Sequence, residues 1–507
     1  MRTKKAILNF ICDALPQIVI SLLGFLRFKF ILSNIGEDVL GIYQLFIQLV
    51  AYITFADFGL TSAVCYSLYA PIAAKDNQKI NRILSGAKYV FNIITVIMFV
   101  IGIILTLGIN FFIKETSLSL GFIQFCFFMM VVSTVITYFV ASHTILFDAE
   151  QNKYQYIRYT QLLAFIKVIL EIIFIIIFKN IVTILILGII ISIIQNIIIV
   201  MLSKSKHKDL NLKCERDMSF WQKTKELIPH KVGTLVANNI DVLIISKCIG
   251  LSQVVTYTSY MYIISTLTTI SYKLTSASSA GIGNLLIVDK DKAYDKFLEY
   301  NSFVFFLATI ICVPLYFAIS PFVSLFYGNE YVVNNVTCLL FVFLVFYSII
   351  RTIFNIFVEA AGLFKETIIC VFLEIIINLT LSLILIKYLG ITGVILATVI
   401  AYIVSEYILK PHIINRNVFN KNIFTYYKDC LFYLIIIIIN LIIVYFSKNI
   451  LVVSNYFNWI LYSGIIFGFN LIITLIYYRF IKKINFLPRL IPNKLKDKKI
   501  VRIFLRN

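Results

Sequence analysis

The chain is built from apolar runs about 20 residues long, divided by short polar breaks. A run of that length crosses the hydrocarbon core of a bilayer, about 30 Å thick, as a single helix. Fourteen such runs are read, at 7–32, 39–68, 86–112, 119–146, 158–178, 181–202, 226–247, 254–287, 298–325, 332–358, 367–387, 391–409, 430–446 and 455–480. Some contain isoleucine tracts, such as Ile435–Ile439, which would favour strands in water. In lipid each segment must satisfy its own backbone, so these tracts are read as helices. Of the 507 residues, 60% are hydrophobic and 14% charged, where a soluble chain carries about 25% charged. A soluble enzyme, a secreted domain and a disordered chain are excluded. The start, Arg2-Thr-Lys-Lys5 and then an apolar run, has the outline of a signal peptide. It lacks a small-residue cleavage site and continues past Arg27 and Lys29, so it reads as a retained first span.

The loops give the topology. With the N-terminus inside, segments 1–6, 69–85, 147–157, 203–225, 288–297, 359–366, 410–429 and 481–507 are cytoplasmic and hold 31 Lys and Arg. The opposite loops hold three, Lys114, Lys179 and Lys448. That bias puts both termini in the cytoplasm of a multi-pass membrane protein. The formal charge of +20 is therefore mostly a topology signal and an attraction to anionic membrane lipids, not a nucleic-acid footprint. The outer loops are too short for a folded extracytoplasmic domain.

The sequence repeats itself. Shifted by 214 residues, Arg27–Val64 lies on Asp241–Ser278 with nine identities in 38 positions, among them Tyr43 on Tyr257 and Leu60-Thr-Ser-Ala63 on Leu274-Thr-Ser-Ala277. Shifted by 203, Leu170-Glu-Ile-Ile173 returns as Leu373-Glu-Ile-Ile376. Both shifts move by six spans, an even number, so the halves are parallel repeats. The expected organisation is an all-α polytopic membrane protein with an N-terminal lobe at 1–202 and a cytoplasmic linker at 203–225. A C-terminal lobe follows at 226–409, and spans 13 and 14 with a basic tail fill 410–507.

Charges inside spans carry the functional information, because each costs about 2.5–3.5 kcal/mol at a helix centre and normally faces protein or water. Lys88, Arg158, Lys247, Lys387 and Arg479 sit near span ends and can snorkel. Lys231, Thr234, Asn238 and Asp241 are spaced to share one face of span seven. Ser259, Tyr262, Thr266, Thr269 and Lys273 do the same in span eight, which has twelve Ser or Thr between Thr256 and Ser279. Span one offers Asp13, Gln17, Gly24 and Arg27; span two offers Thr54, Asp57 and Thr61. These stripes fit a water-filled polar cavity, or polar packing between helices; packing alone does not call for Lys273 or Arg351 in mid-span. Lys167 and Glu171, four apart, read as a pair. Glu374, at the repeat-equivalent position, has no cation beside it in sequence. The two glutamates are alternatively sites for a coupling cation, proton or sodium.

Other chemistry is not written here. Nine cysteines are scattered singly and the four histidines lack metal spacing. His230, next to Pro229 and Lys231, is the one histidine with a cavity setting. There is no phosphate-binding loop, which argues against an enzyme and against an ATP-driven pump, and no cofactor is expected. Transport driven by a gradient or by consumption of the product remains.

Gly41-Ile-Tyr43, Asp57-Phe-Gly-Leu60, Tyr69-Ala-Pro71 and Gly390-Ile-Thr-Gly393 with Ala397-Thr398 are the motifs that matter next. With the fourteen-span layout, the chain resembles the polysaccharide-biosynthesis, O-antigen-flippase-like branch of the multidrug/oligosaccharidyl-lipid/polysaccharide exporter superfamily. The resemblance covers roughly residues 1–480. It implies two six-helix lobes in a V, two extra C-terminal helices and a central cavity lined by spans one, two, seven and eight. The implied substrate is an undecaprenyl-pyrophosphate-linked oligosaccharide unit, of O-antigen or another surface polysaccharide, moved from inner to outer leaflet. Partners implied are a polysaccharide polymerase and a chain-length regulator. The cationic cavity of the family maps onto Arg27, Lys231 and Lys273, and further along onto Arg351. This chain lacks the arginine-rich cavity of some relatives. Two rivals remain: a cation-coupled multidrug exporter of the same superfamily, and a membrane glycan polymerase, which the short outer loops oppose.

Overall fold

The computed structural model describes residues 2–57, 59–222, 240–276, 290–447 and 453–480. Among them there are helices and no strands, as a lipid-solvated backbone requires. The first half holds α1 (Arg2–Asn34), α2 (Glu37–Thr54), α3 (Leu60–Ala74), α4 (Asn77–Leu107), α5 (Leu120–Tyr138), α6 (Ala141–Ala149), α7 (Tyr154–Phe178) and α8 (Ile181–Lys206). The described part of α9 is 240–248. There follow α10 (Leu251–Ser276), α11 (Lys290–Phe326), α12 (Asn335–Ala361), α13 (Phe364–Leu389), α14 (Ile391–Phe419), α15 (Ile423–Ser447) and α16 (Tyr456–Phe480).

Eleven of the described helices are long and apolar enough to cross a membrane. Of the fourteen spans read from sequence, the second, seventh and eighth fall outside that set, each for its own reason. The second is broken: α2 stops at Thr54, a tight turn covers Phe55–Asp57, and α3 begins at Leu60. Gly59 precedes it at φ +80°, a left-handed conformation that glycine adopts without strain. The seventh lies mostly outside the described residues. The eighth is α10, whose many hydroxyls lower its hydropathy. Span twelve is longer than expected, because the helix runs on to Phe419 through two π-helical turns, Ile403–Leu409 and Asn415–Phe419.

Helix starts follow their local chemistry. The Asp76 carboxylate accepts from the Lys79 amide at 2.9 Å at the start of α4. The Asn180 and Asn334 side chains accept in the same way from Val182 at α8 and Thr337 at α12. Each satisfies one of the amides a helix leaves open at its N-terminus.

The chain divides into two compact units, Met1–Thr258 with Ile375–Ala397, and Ser259–Glu374 with Thr398–Asn507. In the first unit α1 lies along α7, α5 on α8, and α4 on α5. Gly41 of the Gly-Ile-Tyr motif serves this packing: a Cβ there would meet the Leu251 carbonyl oxygen at 2.8 Å, so α2 comes close only because that residue has no side chain. In the second unit α11 is the central element and packs on α12, α15 and α16. Its core is aromatic, with Phe305, Phe306, Phe341, Phe354 and Tyr478 fully buried. Because lipid tails are as apolar as these rings, packing and interhelical hydrogen bonds hold the helices together. Asn470 donates to the Thr309 carbonyl at 3.1 Å and Trp459 to that of Ala318 at 2.9 Å.

Candidate functional site

Among the described residues, clusters of charges lie within spans in each unit. In the first unit the Arg27 guanidinium on α1 donates to Glu171 on α7 at 2.9 Å. Lys167, one turn before Glu171, lies 3.7 Å from its other oxygen. The expected Lys167–Glu171 pair is therefore a triad, and Arg27 is the nearer partner. Glu171 is 2% exposed. Arg27 also lies over the rings of Phe28 and Tyr43, at 4.9 and 5.4 Å, an arrangement suited to the weakly hydrated face of a guanidinium. Among the described residues, two cations share this one carboxylate.

Nearer one end of the same helix pair, Asp13 takes Lys153 at 2.8 Å and Gln161 at 3.3 Å. This half-exposed group continues the polar stripe of α1. Asp57 closes the turn after α2 by accepting from the Thr61 hydroxyl at 3.1 Å. Asp241, which the repeat aligns with Arg27, is buried and accepts from the Tyr257 hydroxyl at 2.7 Å. Tyr257 is aligned with Tyr43. The two repeats thus use the same pair of positions, with a cation on a ring in one and a carboxylate on a phenol in the other.

On α10, Tyr262, Thr266 and Thr269 share a face. The Thr266 hydroxyl donates to the Tyr262 carbonyl at 2.8 Å and that of Thr269 to Ser265 at 2.7 Å. With their protons used on their own helix, these oxygens present lone pairs outward. Lys231 and Asn238 lie outside the described residues, as does the side chain of Lys273.

The second unit holds Arg351 on α12, Glu374 on α13, and Glu406 and Lys410 on α14. Lys410 donates to both oxygens of Glu406, at 2.8 and 2.7 Å, and to Asn355 at 2.9 Å. Glu406 and Lys410 are 2% and 6% exposed. Arg351 is within electrostatic reach of Glu406 and Glu374. Sequence reading missed Glu406 and set Lys410 in a cytoplasmic loop. The available signal was Glu406-x-x-x-Lys410, the spacing of a helical ion pair, at the end of an apolar run. Glu406 lies within the first π-helical turn, a feature frequent at functional positions. Among the described residues, no group of three His, Cys, Asp or Glu is placed to hold a metal ion.

Neither a family model nor a curated protein sequence matches this chain. Solved structures do. The lipid II flippase MurJ in an inward closed conformation is similar at a TM-score of 0.68 and 15% identity, covering 92% of this chain and 98% of MurJ. An inward-facing multidrug resistance MATE family transporter of the MOP superfamily is similar at 0.65 and 14%, over 81% of this chain and 98% of that one. The MATE transporter VcmN of Vibrio cholerae, in its bent form, is similar at 0.54 and 15%, over 82% and 98%. The fold is that of these membrane transporters. At such identities the likeness concerns the path of the chain.

Proposed function

We propose that the protein is a flippase that moves an undecaprenyl-pyrophosphate-linked oligosaccharide unit from the inner to the outer leaflet of a bacterial cytoplasmic membrane. The observation that carries the reading is the Arg27–Lys167–Glu171 triad, two cations on one buried carboxylate within spans. A pyrophosphate needs such groups to replace its hydration in a low-dielectric setting. Lys231 and Lys273 are proposed to complete the cationic lining. Arg27 is held by Glu171 at rest and is offered to the diphosphate by exchange, with Glu171 keeping Lys167. The outward lone pairs of Thr266 and Thr269 suit sugar hydroxyls.

The extent of the structural likeness supports the same reading. The match to MurJ covers 92% of this chain, against 81% and 82% for the two MATE transporters. The difference, about a tenth of the chain, is the length of two spans such as α15 and α16. In this reading residues 1–202 and 226–409 form two lobes that rock about the linker, α15 and α16 flank the path of the lipid tail, and both termini are cytoplasmic. A polymerase and a chain-length regulator would take the product onward. The second reading, a cation-coupled multidrug exporter, is favoured by the buried carboxylate Glu374, which suits a cationic cargo or ion.

The two readings separate in vesicles containing the purified protein. The flippase reading expects transfer of a fluorescent lipid-linked oligosaccharide between leaflets and no uptake of cationic dyes. Dye transport without lipid transfer would reverse the assignment.

A further inference from the structure

Among the described side chains, the second unit holds Arg351, Glu374, Glu406 and Lys410 at span depth; the last two are paired with each other and the first two are not. Lys410 is fixed on both oxygens of Glu406 and on Asn355. Glu374 is 6% exposed, and among the described residues no cation lies within 4 Å of it and no group donates a hydrogen bond to it. Its counterpart in the first repeat, Glu171, has Arg27 at 2.9 Å and Lys167 at 3.7 Å. The same position is clamped in one half and open in the other. Arg351 acts electrostatically on both Glu406 and Glu374 but makes no ion pair within 4 Å among the described residues. Among the described residues, Tyr347, Cys370 and Lys410 are also within electrostatic reach of Glu374.

Two carboxylates at this depth require cations, and the chain supplies both of them covalently, as Lys410 and Arg351. A metal ion needs several oxygen ligands, and both oxygens of the second carboxylate, Glu406, are already held by the Lys410 ammonium. A proton adds no ligand requirement and fits a carboxyl that has no donor.

We propose that Glu374 is an exchangeable proton site, with Arg351 as the cation it engages when ionised, so that the ion coupled to transport is H+ and not Na+. The proposal rests on the transporter reading above and names its coupling ion. In the step, the O–H bond of the Glu374 carboxyl breaks, the proton passes to water, and the electron pair stays on the carboxylate. Arg351, already within electrostatic reach of both acids, then pairs with Glu374. Glu406 keeps Lys410, so one carboxylate is paired throughout and only one titrates. The π-helical turn that carries Glu406 gives α14 a local irregularity at the position where such a change would be absorbed.

The test is infrared spectroscopy of the purified full-length protein, titrated with acid and base. The expected result is a carbonyl band of a protonated carboxyl that titrates in the wild type, is lost in Glu374→Gln, and is kept in Glu171→Gln. Replacing sodium chloride by choline chloride at constant pH should leave the band in place. Survival of the band in Glu374→Gln, its displacement by Na+, or the lack of a titrating band in the wild type would each overturn the proposal. Should Glu374→Gln fail to elute as folded protein, Glu374→Asp carries the test through a shift in band frequency; an unshifted band there also overturns it. In vesicles, an imposed pH gradient should accelerate lipid transfer by the wild type and not by Glu374→Gln. The infrared result does not depend on the cargo. A band that follows Glu374 in protein that transfers no lipid would defeat the flippase reading and leave the proton site standing.

Discussion

The Arg27 guanidinium and the Glu171 carboxylate meet at 2.9 Å across α1 and α7, although 144 positions separate them in sequence. Removing one partner of a buried pair leaves the other uncompensated, at a cost of about 3–5 kcal/mol. Lys167 stays near Glu171 and reduces that cost. Arg27→Ala is expected to lower the thermal stability of the purified protein measurably, and Arg27→Ala with Glu171→Gln to recover most of the loss. A double variant no more stable than the single one would mean that the pair is not what holds α1 to α7.

Lys410 is expected to be shielded. A cysteine at 410 should resist a hydrophilic maleimide in inside-out vesicles, while one at the exposed Lys421 reacts. Lys410→Met should destabilise the protein by several kcal/mol, because Glu406 then loses the ammonium on both of its oxygens. Labelling at 410 as fast as at 421 would return Lys410 to a solvated loop.

These two residues show what the sequence could and could not convey. Spans were legible because lipid leaves the backbone one solution, whatever the side chains prefer. The repeat was legible through Tyr43 and Tyr257, and both prove to be engaged with the aligned residues Arg27 and Asp241. Lys410 was misread because counting basic residues assigns any lysine past an apolar run to a loop, and the helix in fact continues to Phe419. Arg27 with Glu171 was not legible at all, since only packing of α1 on α7 brings them together. The break at Asp57 was hidden for a related reason: hydropathy is continuous there while the backbone is not.

The Tyr257 hydroxyl donates to Asp241 at 2.7 Å in a buried setting. Hydrogen bonds to charged groups contribute about 1.5–3 kcal/mol. Tyr257→Phe should cost an amount in that range in a thermal or denaturant melt, and Asp241→Asn less, because the amide still accepts. Equal stability of Tyr257→Phe and wild type would remove the bond from the account.

Asp38 joins two loops by accepting from the Ser117 amide at 2.8 Å, the Ser117 hydroxyl at 2.6 Å and the Thr116 hydroxyl at 3.1 Å. Partial burial pulls its pKa up, and these hydrogen bonds outweigh that and leave it below the ordinary aspartate value. A lowered folded-state pKa gives stability that is present above the unfolded value and lost as pH falls through the folded one. Asp38→Asn should therefore melt earlier than wild type at neutral pH and alike at strongly acidic pH. A difference that grows on acidification would contradict this.

Orientation has its own check. A cysteine at the exposed Ser33 should react with an impermeant thiol reagent in intact cells, and one at the exposed Ser205 should not. The reverse pattern would invert the proposed topology.

The central claim is that cations held at span depth escort a diphosphate across the bilayer. Its most direct measurement is leaflet transfer of a labelled undecaprenyl-pyrophosphate oligosaccharide in vesicles, comparing wild type with the charge-neutral Arg27→Ala/Glu171→Gln variant at equal incorporation. Transfer by the wild type and its loss in the folded double variant is the predicted result. Equal transfer by both would contradict the account, because the lipid would then cross without the guanidinium.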